Sequence, residues 1–280
     1  MSKVSTNQPL GTPTWIELAV PDLDRAKAFY RALFGWEYEE RSAATGPFTL
    51  CLLRGRRVAA LRPVTVTAVD ADVEGDADAD GVAVAVAVAV AEGESWWHVH
   101  LATDDCDRTA KEIVVSGGTV LVPPADVADL GRTALVADPT GARFSLWQGR
   151  TLAGCELVNE PCALVRNDLA CPDPGPARRF YATVFDFTLD GNDDLPGFDF
   201  TFLRRPDGHE IGGIFGDPAA RASRWQTVFE VADTDEVVAL AVAAGGTAGA
   251  PEDAPYGRMA SITDPFGTSF SVITRPSPAS

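Results

Sequence analysis

Two histidines, His98 and His100, stand two residues apart in the apolar stretch Trp96-Trp97-His98-Val99-His100-Leu101. Residues two apart on a strand share a face, so both imidazoles point the same way, as do Trp15 and Glu17 in the alternating residues 15–20. Two imidazoles and a carboxylate in one cavity would suit either of two chemistries. As ligands they compose a 2-His-1-carboxylate metal centre. Without metal, a histidine near its ordinary pKa moves a proton while Glu17 orients it. The strand rise sets the roots of His98 and His100 about 7 Å apart, so joint chelation demands converging rotamers and metal is expected to be weak or absent. Glu17 has a counterpart in Asp168, in a part of the chain without such histidines, so the alternative is a carboxylate that bonds a neighbouring strand. The third histidine, His209, follows Asp207-Gly208 and reads as a solvated turn residue.

The elements that would carry these residues repeat. Phe29-Tyr30 recurs as Phe180-Tyr181, Gly117-Gly118 as Gly245-Gly246, Gly131-Arg132 as Gly257-Arg258, and Asp138-Pro139-x-Gly141 as Asp264-Pro265-x-Gly267, the mark of an internal duplication. The first landmark is offset by more than the later ones, so the first copy carries an insert: residues 70–94, an Asp-Ala alternation followed by the Val-Ala run 82–91. Its acidic half reads as solvated low-complexity chain. The Val-Ala half has strand propensity, and either packs as an extra edge strand or relies on the neighbouring acids as gatekeepers. Each half holds two cycles of strand, amphipathic helix and further strands. Residues 15–20 end at Pro21-Asp22, where the aspartate can cap a helix whose apolar Leu23, Ala26, Phe29, Tyr30 and Leu33 fall at helical spacing before Gly35 stops it. Later cycles open near residues 97, 163 and 225, with helices predicted from about Asp105, Pro176 and Asp233. The Asp-Pro-x-Gly segments place Pro and Gly where a β-turn wants them. The expected fold is α+β, four βαβββ modules paired into two domains, residues 1–152 with the insert and residues 153–280.

This order of motifs resembles the vicinal oxygen chelate superfamily of glyoxalases, bleomycin-resistance proteins and extradiol dioxygenases, in its two-domain actinomycete form. The resemblance is carried by Asp22-Leu23, Phe29-Tyr30 and Leu33-Phe34-Gly35, the two Gly-Gly pairs, and the two Asp-Pro-x-Gly turns followed by Phe144-Ser145-Leu146-Trp147 and Phe270-Ser271-Val272-Ile273. It implies that paired modules curve a mixed sheet into a cup, one cup per half, and that an active member binds a divalent metal inside. By chain register the family's ligand positions fall on Trp15, Ala60, His98 and Ser145 in the first half, and on Arg166, Gly213, Gln226 and Ser271 in the second. Only His98 is a good ligand. No cofactor is called for, and a divalent metal is possible only if His98, His100 and Glu17 are all recruited.

Trp15, Trp96, Trp97 and Trp147 suggest a cup lined by flat apolar surfaces, suited to an aromatic or polycyclic ligand, with Ser145 and Trp147 as pocket wall. In the second half Arg166, in an otherwise apolar strand, could bind an anionic or phenolate group beside Gln226; an ion pair with Asp168 is the alternative. The net charge of -17 would repel nucleic acid and anionic lipid, and the apolar run 82–91 is too short for a membrane helix. Residues 1–14 lack the pattern of a secretion signal. Five cysteines (Cys51, Cys106, Cys155, Cys162, Cys171) show no metal-ligand spacing, and reduced thiols in a cytoplasmic monomer or homodimer are expected. Two functions stay open. One is an enzyme (lyase, isomerase or oxygenase type) acting on an aromatic or polyketide-like metabolite in the first cup, with His98, His100 and Glu17 as catalytic groups. The other is a non-catalytic binding protein for drug sequestration or metabolite carriage.

Overall fold

Four aspartates start four helices. The carboxylates of Asp22, Asp105, Asp173 and Asp233 accept the backbone N–H groups of Arg25, Arg108, Gly175 and Glu236, satisfying donors that a helix start leaves free. A computed structural model describes residues 2–43, 46–64, 95–191 and 197–276. The insert 70–94, with its Val-Ala run, lies outside the described residues.

After a short β1 (Ser2–Lys3), the first module runs β2 (Pro13–Val20), α1 (Leu23–Phe34), β3 (Glu37–Ala43), β4 (Gly46–Leu53) and β5 (Arg56–Pro63). The second runs β6 (His98–Ala102), α2 (Cys106–Val115), β7 (Thr119–Val127), β8 (Gly131–Ala137) and β9 (Arg143–Gly149). A connecting segment holds β10 (Leu157–Val158), which pairs with β1. The third module runs β11 (Leu164–Cys171), α3 (Pro174–Phe185), β12 (Thr188–Gly191), β13 (Phe200–Arg204) and β14 (Glu210–Gly216). The fourth runs β15 (Arg224–Glu230), α4 (Thr234–Ala243), β16 (Thr247–Ala248), β17 (Glu252–Ala254), β18 (Gly257–Thr263) and β19 (Ser269–Thr274). Two mixed sheets result. One has the order β3-β4-β5-β2-β6-β9-β8-β7, and the other β12-β13-β14-β11-β15-β19-β18-β16, with β17 on β18.

Helices cover one face of each sheet and pack in pairs across the halves, α1 against α4 and α2 against α3. One core joins the first and fourth modules, another the second and third. The repeated landmarks sit in this joint. The Tyr30 hydroxyl donates to Asp264 at 3.0 Å, and Tyr181 lies beside Asp138 in the mirrored place. A Cβ on Gly118 would come within 2.9 Å of the Phe180 ring, and one on Gly246 within 2.8 Å of Phe29, so glycine is required where a helix of the other half approaches.

Candidate functional site

Each sheet turns its other face outward as a cup, and the strand registers make the two cups comparable position by position. Glu17 pairs with His98 and Ala60, Trp15 with His100, and His100 with Ser145. In the second sheet Asp168 pairs with Gln226 and Gly213, Arg166 with Val228, and Val228 with Ser271. His98 thus corresponds to Gln226, His100 to Val228, Ser145 to Ser271, and Leu50 to Phe202, since Leu50 faces Ala60 and Phe202 faces Gly213.

The first cup is filled by its own side chains. Trp15, Glu17, Arg62, His98, His100, Ser145 and Trp147 are all buried, together with Phe48, Leu50, Leu152 and Cys155. Residues 152–156 form a strap across it. Leu152 N–H donates to Leu130 O, the Trp147 indole to Leu152 O, Cys155 N–H to Thr14 O, and Glu156 N–H to Arg57 O. Outside this layer lies a recess of about 510 Å³, floored by Phe48, Leu50, Leu52, Leu130 and Leu152 and rimmed by Glu39, Arg41, Arg57 and Glu156.

Beneath that floor, Glu17 accepts from Arg62 Nε at 2.7 Å, Arg62 Nη2 at 3.2 Å and the Trp15 indole at 2.9 Å. Burial alone would raise the Glu17 pKa, but the Arg62 charge, helped by His100 and these hydrogen bonds, holds it down at about 2. The Arg62 guanidinium also lies over the Phe48 ring at 5.0 Å. His98 Nε2 and Ser145 Oγ are 2.8 Å apart. The two imidazoles meet edge to face at 5.2 Å. Burial, then the neighbouring His100, lowers the His98 pKa to about 3, and burial lowers that of His100 to about 4 against the pull of Glu17; both rings are neutral at pH 7. Neither ring nitrogen of His100 meets a partner among the described residues.

A divalent metal does not fit these donors. Glu17 already spends its oxygens on Arg62 and Trp15, His98 spends Nε2 on Ser145, and Arg62 already supplies the positive charge beside Glu17. Among the described residues no group of three His, Cys, Asp or Glu is placed to hold a metal ion.

The second cup is open. Phe198, Phe200 and Phe202 lie along one wall with Phe215, in ring contacts of 5.0 to 5.9 Å. Tyr256, from the turn between β17 and β18, meets Phe202 edge to face at 5.8 Å. Phe198 is 43% and Tyr256 38% exposed, whereas Leu50, the first-cup counterpart of Phe202, is 5% exposed. Gly213 has no room for a Cβ because the Phe200 ring would lie 2.2 Å from it; the ring fills that space on the sheet floor. Across the cup Gln226, Ser261 and Ser269 are exposed and Ser271 half-buried.

Two expectations are corrected. Trp97 points away from the cup into the core between the sheets, against Tyr30, Trp36 and Phe229, because it alternates with His98. Trp96 lies under the Arg224 guanidinium, at the edge of the second half. Arg166 takes the ion-pair alternative: it bonds Asp168 at 2.7 Å and Glu210 at 3.3 Å. His209 is an exposed turn residue. Arg62 was legible but passed over, as a charged residue two places beyond Ala60 on the same strand. So was the aromatic stripe Phe198-Asp199-Phe200-Thr201-Phe202, whose period of two puts three rings on one face.

Residues 12–146 match the family profile described as the glyoxalase/bleomycin resistance protein/dioxygenase superfamily, and residues 165–273 match a glyoxalase-like domain. CFP32 of Mycobacterium tuberculosis, named as a candidate glyoxylase, is 34% identical over 273 residues, 96% of each chain. The chain belongs to the glyoxalase/bleomycin resistance protein/dioxygenase superfamily. The anthracycline biosynthesis protein DnrV of Streptomyces peucetius is 31% identical over 266 residues, 94% of this chain and 93% of that one. Among solved structures, the fold is similar to the Mn(II)-bound glyoxalase from Novosphingobium aromaticivorans (TM-score 0.61, 17% identity, 96% of this chain and 89% of that one). It is also similar to the 2,3-dioxygenase LapB from Pseudomonas sp. KL28 (TM-score 0.62, 14% identity, 97% and 96%). At those identities the likeness concerns the fold alone.

Proposed function

We propose that the protein binds a planar, polyketide-like aromatic metabolite in the second cup, as a carrier or sequestering protein. The observation that carries this reading is the contrast between the two cups: the first closes over Leu50 and its own tryptophans, while in the second Phe202, at the position of Leu50, is half-buried and Phe198 and Tyr256 are exposed. Exposed aromatic rings facing a polar wall of Gln226, Ser261 and Ser271 are what a flat ligand bearing hydroxyl or carbonyl groups would require. The likeness to an anthracycline biosynthesis protein supports the polyketide class. Titration with a fluorescent hydroxyanthraquinone should give saturable binding that Phe202→Ala weakens and Arg41→Gln, on the rim of the first-cup recess, leaves intact. Loss with Arg41→Gln and not with Phe202→Ala would move the site to the first cup.

One observation favours a second reading. His100, buried beside Glu17 with both ring nitrogens unpartnered, is a neutral imidazole free to accept or hand on a proton, as an enzyme acting through His98, His100 and Glu17 would need. Turnover of any substrate that His98→Ala with His100→Ala abolishes, and Gln226→Ala spares, would establish that reading over the first.

A further inference from the structure

The charges along the aromatic wall of the second cup do not balance. Arg166 gives Nε and Nη2 to Asp168 at 3.0 and 2.7 Å and Nη1 to Glu210 at 3.3 Å. Arg204 is paired with Asp190 and, at 3.4 Å, with Glu210. Two guanidiniums therefore serve three carboxylates, Asp168, Glu210 and Asp190. Both guanidiniums also cover rings of the wall, Arg166 over Phe200 at 5.5 Å and Arg204 over Phe202 at 5.7 Å, so each is held by its acids on one side and an aromatic face on the other. Elsewhere on this sheet Glu230 pairs with Arg275 and Asp199 with Arg178, and Arg258 serves both Asp235 and Asp253. What faces a ligand is a surplus carboxylate and the open faces of Phe198 and Tyr256, and aromatic faces are themselves negative. The wall of Gln226, Ser261 and Ser271 adds hydrogen bonds, and the one guanidinium beside it, Arg224, lies over the Trp96 ring at the far edge. The chain as a whole carries -17, so the long-range field has the same sign.

Resting on the reading that the second cup is the ligand site, we infer that it selects planar aromatic ligands bearing an amine cation over anionic ligands of the same shape. The cation gains from the surplus carboxylate and the ring faces together. An anion meets both, and the guanidiniums of Arg166 and Arg204 are already held by their acids.

Three probes sharing one ring system test this: 9-(aminomethyl)anthracene, 9-anthracenemethanol and anthracene-9-carboxylate, titrated by fluorescence into the full chain. The amine should bind at least about tenfold tighter than the carboxylate, the neutral probe falling between, since one net charge near the ligand acts with opposite sign on the two ions. Raised salt should narrow the gap. Glu210→Gln, which removes the surplus charge, should narrow it as well, and Phe202→Ala should weaken all three probes. Equal affinities, or the carboxylate binding tightest, overturn the charge selection while leaving the second cup as the site. Binding of all three that is indifferent to Phe202→Ala, or no binding of any, overturns the selection and the reading of the cup together.

Discussion

Removing the Arg62 guanidinium would expose how the first cup is held. Glu17 is held at about 2, against an ordinary 4.5, despite complete burial, a displacement equivalent to about 3 kcal/mol. In Arg62→Ala the carboxylate keeps the Trp15 indole as its hydrogen-bond donor and loses its counter-charge, and breaking a buried pair in this way costs about 3–5 kcal/mol. At about 2–4 °C per kcal/mol for a domain of this size, the thermal midpoint should fall by roughly 6–20 °C. The pH dependence should change with it. A carboxylate whose folded pKa lies below its unfolded value adds stability that is complete above about pH 4.5 and is lost as pH falls towards 2. Without Arg62 burial raises the Glu17 pKa above its unfolded value, so acidification should relieve the variant as pH falls from neutral to about 4.5, a range in which the parent's pair loses nothing. The double variant Glu17→Met, Arg62→Met removes both charges, and buried pairs replaced by apolar groups of similar size are often neutral or better, so it should recover most of the lost midpoint. Circular-dichroism melts of the three proteins between pH 7 and pH 3 decide the matter. A midpoint for Arg62→Ala within about 2 °C of the parent, which at this size is under about 1 kcal/mol, would refute the reasoning, as would a double variant that falls as far as the single one.

Exchanging His100 for the residue at the matching second-cup position, His100→Val, should keep or raise stability at pH 7 by about 1 kcal/mol, because two unpartnered buried nitrogens are removed. A buried histidine whose pKa is lowered to about 4 costs the fold progressively as pH drops from 6.5 towards 4, so the acid limb of a urea-unfolding series should move to lower pH in the variant. Gly213→Ala drives a Cβ into the Phe200 ring; the displaced ring should weaken aromatic ligand binding about tenfold in titrations, with overpacking costing the fold about 1–3 kcal/mol in melts. Replacing residues 70–94 by a short Gly-Ser linker should leave the midpoint within about 2 °C, because the first sheet has its strands without them and each doubling of loop length costs only about 0.6 kcal/mol. A drop beyond about 8 °C, roughly 2 kcal/mol or more, would show that the Val-Ala run packs.

The fold was legible because the landmarks that repeat are the ones the fold itself needs. Tyr30 and Asp264, Tyr181 and Asp138, Gly118 under Phe180 and Gly246 under Phe29 all fasten one half to the other, and a joint with paired parts constrains both copies alike. The same fact explains why those motifs were silent about chemistry: none of them reaches a cup. Apart from Ser145 and Ser271, the cup residues follow no shared motif, since the two copies fill matching positions differently, Leu50 against Phe202, His98 against Gln226, His100 against Val228. Alternation along a strand still told which of them share a face, and the pairing of Glu17 with His98 follows from it. Occupancy was not legible. Whether a cup is full depends on strand-to-strand packing and on where residues 152–156 cross, through bonds from Leu152 to Leu130 and from Cys155 to Thr14 that join parts far apart in the chain. Histidines are scarce and chemically versatile, so a sequence reading is drawn to them. Here the buried pair sits behind tryptophan and leucine, and the aromatic surface left open in the second cup is built from Phe198, the phenylalanines of β13 and Tyr256 beside the acids around Arg166 and Arg204, residues whose types suggest core and surface until the strands are assembled.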